Sequence, residues 1–182
     1  TTGTLWNLFG SFLRVNYSFA DKYLVSGTIR RDISSRFGRD NRVGWFPAAS
    51  VGWRVIEENF LKDKTPMSEL KLRASYGSTG NQDIGNFDAL SLLSPGANYN
   101  QIAGLAPTQL GNPLLSWESS DQLNVGMDLG FYDNRLLFIA DVYRKDVNEL
   151  LLTQTLPSNS GFNGFLTNIG AMRNEGIELS LS

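Results

Sequence analysis

The chain contains no cysteine and no histidine. Without cysteine there is no disulfide framework, no thiolate nucleophile and no Cys-ligated zinc or iron–sulfur centre. Without histidine there is no Ser-His-Asp triad and no imidazole metal ligand within these residues. Charge of one sign is also lacking: 16 Lys and Arg stand against 18 Asp and Glu, a net charge of −2. A dedicated nucleic-acid binder would be strongly basic. Long hydrophobic runs are missing as well. The longest is Leu136–Ala140, and a membrane helix needs about 20 consecutive apolar residues. The start, Thr1-Thr2-Gly3-Thr4, lacks the basic and apolar stretches of a signal peptide. The 182 residues are nonetheless enough for one domain with a sizeable core.

What is present is turn formers, aromatics and alternation. The chain has 18 Gly and 12% aromatic residues. From Phe9 to Phe19 the odd positions (Phe9, Leu13, Val15, Tyr17, Phe19) are mostly apolar and the even ones mostly polar or small, the signature of a half-exposed strand. Ala20-Asp21-Lys22 reads as a turn into a partner strand over 23–31. Period two returns over 45–55, 70–77, 117–131 and 136–143, and in Ile177, Leu179 and Leu181. The pattern predicts seven antiparallel strands, with a short helix around 57–61.

The connections alternate in length. Those at 20–22, 56–69 and 132–135 are short or modest; those at 32–44, 79–116 and 147–168 are long and polar. In an up-and-down sheet this puts all the large loops at one end, the asymmetry of outer-membrane barrels. Charges follow the same parity. Arg14, Arg54, Lys71, Arg73, Asp128, Asp141, Lys145 and Glu178 fall on the less apolar face. The exceptions, Arg31, Asp121 and Arg144, fall near the long-loop ends. A charge on a lipid-facing strand costs about 2–4 kcal/mol at the midplane and falls to about 0–1 at the interface, so exceptions are expected there. Aromatics collect at strand ends: Tyr17, Phe19, Tyr23, Trp53 and Phe131 at the short-turn end, and Trp45, Tyr76 and Trp117 at the other, as two interfacial girdles would. A soluble carbohydrate-binding β-sandwich shows the same alternation, and a passive porin-type channel the same strands. Strand length favours a membrane barrel, whose strands need about 9–11 residues against about 5–6 in soluble sheets.

Several longer motifs carry a family resemblance. The run 30–38, RRDISSRFG, resembles the RRDGSSRFG signature of the SusC/RagA family of TonB-dependent outer-membrane transporters, with Ile33 in place of the usual glycine. GWFPAASVGWR (44–54), LKLRASYGSTGNQ (70–82) and NPLLSWE (112–118) are similar to further family motifs. LPSNSGF (156–162), NIG (168–170) and NEGIEL (174–179) follow in family order. The resemblance implies that residues 1–182 are an internal part of a barrel of about 22 strands, with plug domain and signal peptide lying elsewhere. It also implies the outer membrane of a Gram-negative, Bacteroidetes-like cell and no catalysis. The implied partners are a SusD-like surface lipoprotein, the TonB complex through parts outside these residues, outer-membrane lipid, and an oligosaccharide or peptide substrate. No nucleic acid and no cofactor is implied.

Candidate sites are few. Arg30, Arg31, Arg36, Arg39 and Arg42, beside Phe37 and Trp45, invite an anion or nucleic acid, but a solvated loop paired with Asp32 or Asp40 is the simpler expectation. Glu118, Asp128 and Asp141 fall on different strands and are expected to hydrogen-bond along a wall, not to form a glycosidase pair. Asn81, Gln82, Asp83 and Asn86 offer oxygens without the spacing of a calcium loop. Asn98, Tyr99, Asn100 and Gln101 have the aromatic and amide chemistry of sugar recognition, and of loop packing equally. No catalytic or metal residue is assigned, and the ligand-binding residues stay unknown.

Overall fold

The computed structural model describes residues 3–61, 65–98 and 100–182. Seven long strands carry the fold. In chain order the strands are β1 (Leu8–Phe19), β2 (Tyr23–Ser34), β3 (Val43–Arg54), β4 (Met67–Asn81), β5 (Leu92–Pro95), β6 (Leu105–Gln109), β7 (Glu118–Phe131), β8 (Leu136–Asn148), β9 (Leu151–Thr155), β10 (Gly164–Asn168) and β11 (Ala171–Leu181). The main sheet has the order β1-β2-β3-β4-β7-β8-β11, antiparallel throughout. Neighbours in this sheet are neighbours in sequence once the two inserted hairpins, β5–β6 and β9–β10, are set aside. It is an up-and-down meander with β1 and β11 at its edges.

Three sequence expectations need correction. The long connections hold structure of their own, because hairpins β5–β6 and β9–β10 satisfy backbone groups that a bare loop would leave to water. The loop expected at 32–44 shrinks to 35–42, since β2 runs on to Ser34 and β3 begins at Val43. The helix expected at 57–61 is a single 3-10 turn at Val55–Glu57.

The short-turn end is tightly trimmed. Ala20 and Asp21 both have φ 53°, and Lys22 N–H donates to Phe19 C=O at 3.0 Å. Such left-handed pairs match the twist of the strands they join. The β7–β8 turn uses Tyr132, Asp133 and Asn134 in the same region, and the Ser68 hydroxyl ties Asn134 to the start of β4.

The buried core lies at the opposite end. Phe37, Phe46, Ile84, Ala89, Leu115 and Trp117 form one cluster, with Leu151 and Leu166 packed on it. Most of these residues come from the connections and hairpins, and only Phe46 from a long strand. Trp117, expected in the outer girdle, belongs here instead: its ring meets Phe37 and Phe46 at 5.2 and 5.4 Å, and its Nε1–H donates to Arg42 C=O. Pairing between β3 and β4 stops at Ala48 and Gly77, next to Pro47, which has no N–H to give. Beyond that point the Phe46 ring lies where a side chain at Gly80 or Gly44 would be.

Candidate functional site

The register makes two continuous faces. On one, Tyr17, Val25, Val51, Ala74, Val125, Val142 and Ile177 stand side by side across all seven strands. Nothing covers this row: Val51 is 53% exposed, Val125 52% and Ile177 71%. The next row toward the short turns, Phe19, Tyr23, Trp53, Leu72, Met127, Ala140 and Leu179, is apolar too. A soluble sandwich would bury these side chains under a second sheet. The two further sheets here are two-stranded hairpins and leave this face bare. An uncovered apolar belt of this extent requires an apolar surrounding.

The belt's edges behave as interfaces. At the short-turn end Phe19 stacks on Tyr23, and Tyr23 on Trp53, with centroids 6.4 Å apart in both cases. Glu58 accepts from the Tyr23 hydroxyl at 2.6 Å, Trp53 Nε1 at 3.1 Å and Lys22 Nζ at 3.3 Å. These donors, Tyr23 first, hold the Glu58 carboxyl below its ordinary pKa. At the other end the three charges that break parity are all engaged. Arg31 lies over the Trp45 ring at 5.7 Å, Asp121 accepts from the Tyr76 hydroxyl, and Arg144 bonds Asp146, which also holds Arg173.

The opposite face is polar. Asn16, Ser26, Ser50, Ser75, Asn124 and Tyr143 form one row, and the Ser26 and Ser50 hydroxyls are 2.7 Å apart. One step toward the short turns, Arg73 crosses a strand. It donates to Asp128 on β7 at 3.0 Å and to Asp141 on β8 at 2.7 Å. Gly126 lies in register between Arg73 and Asp141, and this makes the crossing possible. A Cβ there would overlap Asp141 Oδ1 and stand 2.8 Å from Arg73 Cζ. Tyr143 lies against Gly176 in the same manner.

The singled-out residues resolve as follows. Asp128 and Asp141 are brought together, by a shared arginine and not as a catalytic pair. Glu118 is apart from them, accepting from Asn81 and from Leu151 N–H at the rim. Arg30 pairs with Asp32, and Arg42 donates to Phe37 C=O. Arg36 lies 4.2 Å over the Trp6 ring and donates to Asn86 and to the Gln82 carbonyl, near Asp83. Of the oxygens considered for a cation, Asn86 Oδ1 accepts from this guanidinium, Asn81 Oδ1 accepts from Asp83 N–H, and the Gln82 side-chain oxygen is buried without a hydrogen-bond partner. Arg39 is exposed. Asn98 is exposed in the β5–β6 connection, where Asn100 and Gln101 adopt positive φ; Tyr99 lies outside the described residues. Sequence reasoning missed Gly126 and Gly176, whose signal was only a glycine at a polar-face position of a strand.

An antiparallel meander of long strands with an uncovered apolar face, a polar face and loops gathered at one end defines the wall of a transmembrane β-barrel. The family of "TonB dependent receptor-like, beta-barrel" proteins matches residues 1–182, and the chain belongs to that family, as a SusC/RagA-type fragment. It is 43% identical to TonB-dependent receptor P39 of Formosa agariphila over its whole length, which is 18% of that protein. It is 39% identical to TonB-dependent receptor SusC of Bacteroides thetaiotaomicron, again over the whole chain and 19% of the relative. Among solved structures, the RagAB peptide transporter superposes with a TM-score of 0.89 at 35% identity, over 97% of this chain and 20% of that one. The chain therefore spans about a fifth of the length of the relatives it matches.

Proposed function

We propose that residues 1–182 form part of the barrel wall of an outer-membrane importer that takes up oligosaccharides or peptides. The observation that carries this reading is the uncovered apolar row, Tyr17 to Ile177, unbroken across seven strands and backed by a polar row. The belt meets hydrocarbon, the polar face lines the lumen, and the packed loops form the outer mouth. Seven strands cannot close a barrel of about 22, so the remaining strands, a plug and a signal peptide belong to sequence outside these residues. Uptake is powered through TonB, and a SusD-like lipoprotein lids the mouth. The similarity to SusC and to the RagAB peptide transporter supports both the partner and the substrate class. No bond is made or broken in this reading, and Arg73 holds Asp128 and Asp141 as part of the wall.

The test is uptake by cells carrying the full-length gene, with and without an intact TonB system. Import of labelled oligosaccharides or peptides that stops when TonB is removed is the expected outcome. Uptake that continues by diffusion indicates a passive pore and refutes the reading.

A further inference from the structure

The outward face carries polar groups that its own pairings do not use up. Three consecutive rows cross β4, β7, β8 and β11 on this side, each about 7 Å nearer the mouth along the strands. The first is Ala74, Val125, Val142 and Ile177, the second Tyr76, Leu123, Arg144 and Glu175, the third Ser78, Asp121, Asp146 and Arg173. Asp121 and Asp146 stand directly opposite each other, which is unfavourable unless each is compensated. Arg144 and Arg173 compensate Asp146 through Nε, at 2.9 and 2.6 Å, and the Tyr76 hydroxyl donates to Asp121 at 3.1 Å. Much hydrogen-bonding capacity is left over. Among the described residues, the terminal nitrogens of both arginines have no acceptor, Asp121 keeps one oxygen free, and Glu175 accepts no hydrogen bond.

These groups border a groove. Tyr76, Asp121, Asp146, Met172 and Arg173 line an upper concavity of about 490 Å³. One row further from the mouth, Leu123, Val125, Val142 and Ile177 line a second of about 350 Å³, with Arg144 and Glu175 at its upper edge. The lower part is apolar and lies within the belt. The upper part is polar and lies at the belt's mouth-side edge, where ionised side chains cost little. An apolar concavity surmounted by a polar one has the outline of a lipid, an acyl chain beneath a head group.

The chemistry of the head group follows from the side chains. Two cations, Arg144 and Arg173, face three carboxylates, Asp121, Asp146 and Glu175, so the cluster is one charge negative. A phosphate would be repelled by that excess. Free donors beside free acceptors suit hydroxyl groups instead, since each hydroxyl donates and accepts at once. Bonds from charged partners to such hydroxyls are stronger than neutral ones, and Tyr76 and Met172 offer apolar surface to the C–H face of a sugar ring. The upper concavity has the size of a small-molecule site, more than an ethanolamine fills. We infer that this groove over β7, β8 and β11 seats a glycolipid of the outer leaflet, an acyl chain in the lower concavity and an uncharged saccharide head in the upper. The inference rests on the barrel-wall reading and goes beyond it, to a ligand on the lipid-facing side.

Photolabelling of the full-length protein in phosphatidylethanolamine nanodiscs tests it. Digalactosyl diacylglycerol, with a neutral sugar head, or phosphatidylglycerol, with an anionic head, is added as the minor lipid. Each of the three lipids carries a diazirine on its acyl chain in turn. The digalactosyl lipid is expected to label Leu123, Val125 or Ile177 about tenfold more per molecule than either other lipid, the difference that one or two hydrogen bonds make. Arg144→Gln with Arg173→Gln is expected to abolish that preference. Glu175→Ala, which leaves both arginines on Asp146, is expected to reduce it, and heat-modifiable mobility on gels checks that each variant is folded. Equal labelling by all three lipids, or a preference that both folded variants keep, overturns the inference in favour of an ordinary lipid shell and leaves the barrel standing. Stronger labelling by phosphatidylglycerol overturns it in favour of an anion site. Free digalactose that displaces the label as well as the whole lipid does overturns it in favour of a soluble sugar. If no lipid labels the belt at all, the barrel-wall reading falls with it.

Discussion

The two ends of the sheet are held by different means. At the mouth, Phe37 and Leu115 are 1% and 0% exposed, inside a cluster built mainly from connections. At the short-turn end the corresponding aromatics, Phe19, Tyr23 and Trp53, stack on the outer surface, and one carboxylate ties Tyr23 to Trp53. Between the ends neither face has a protein core. The difference follows from the surroundings. Where strands meet hydrocarbon, apolar side chains need no protein partner. Where long loops stand in water, they must bury their own apolar residues to stay ordered. Short primed turns have too little chain to need such burial and rely on local geometry.

The largest effect expected from breaking this contrast is at the mouth. Phe37→Ala or Leu115→Ala removes a fully buried side chain, and such truncations cost about 2–5 kcal/mol. Because the sheet below is built independently of that cluster, the loss should appear as protease sensitivity of the loops. The heat-modifiable mobility of the folded barrel on gels should persist. If the barrel itself fails to assemble, the two ends are not separable.

Next in size is the belt. Val125→Arg places a charge in the middle of the lipid-facing row and should cost about 2–4 kcal/mol, measured by denaturant unfolding in bilayers. Asn124→Arg, one residue along and on the polar face, should cost much less. Equal losses would mean that both faces meet the same medium.

Smaller again is the glycine beneath Arg73. Gly126→Ala pushes a Cβ into the Arg73–Asp141 contact, and overpacking of this kind costs about 1–3 kcal/mol. Gly27→Ala is the control. It lies on the opposite face with nothing within 4 Å, so the change should stay within about 0.5 kcal/mol.

The smallest effect is at the short-turn end. Glu58 has a lowered pKa in the folded chain, so its contribution is present above the ordinary glutamate value of about 4.3. It is lost as pH falls from there through the lower, folded value. Trp53 fluorescence should report that acid transition, and Glu58→Gln should abolish it while leaving the fold intact at neutral pH.

The amino-acid sequence by itself determined the period-two alternation, the seven long strands, their meander order and the segregation of charge from the belt. Each depends on which side of a strand a residue falls, and strict alternation states that directly. It also showed the asymmetry of the loops, and the motifs over 30–54, 70–82 and 112–118 carried the family. Tertiary structure alone decided what happens across strands and beyond their ends. Trp117 has the parity of an outer-girdle residue, yet it turns inward because Phe37 and Phe46 arrive from other segments to cover it. Hairpins β5–β6 and β9–β10 have strands of only four or five residues, too short to display a period-two pattern. Arg73 could not be matched to Asp141 from spacing, because 68 residues separate them and the contact passes over Gly126. Local pattern is written along one strand, whereas register, seam and loop core depend on pairings whose partners lie far apart in the chain.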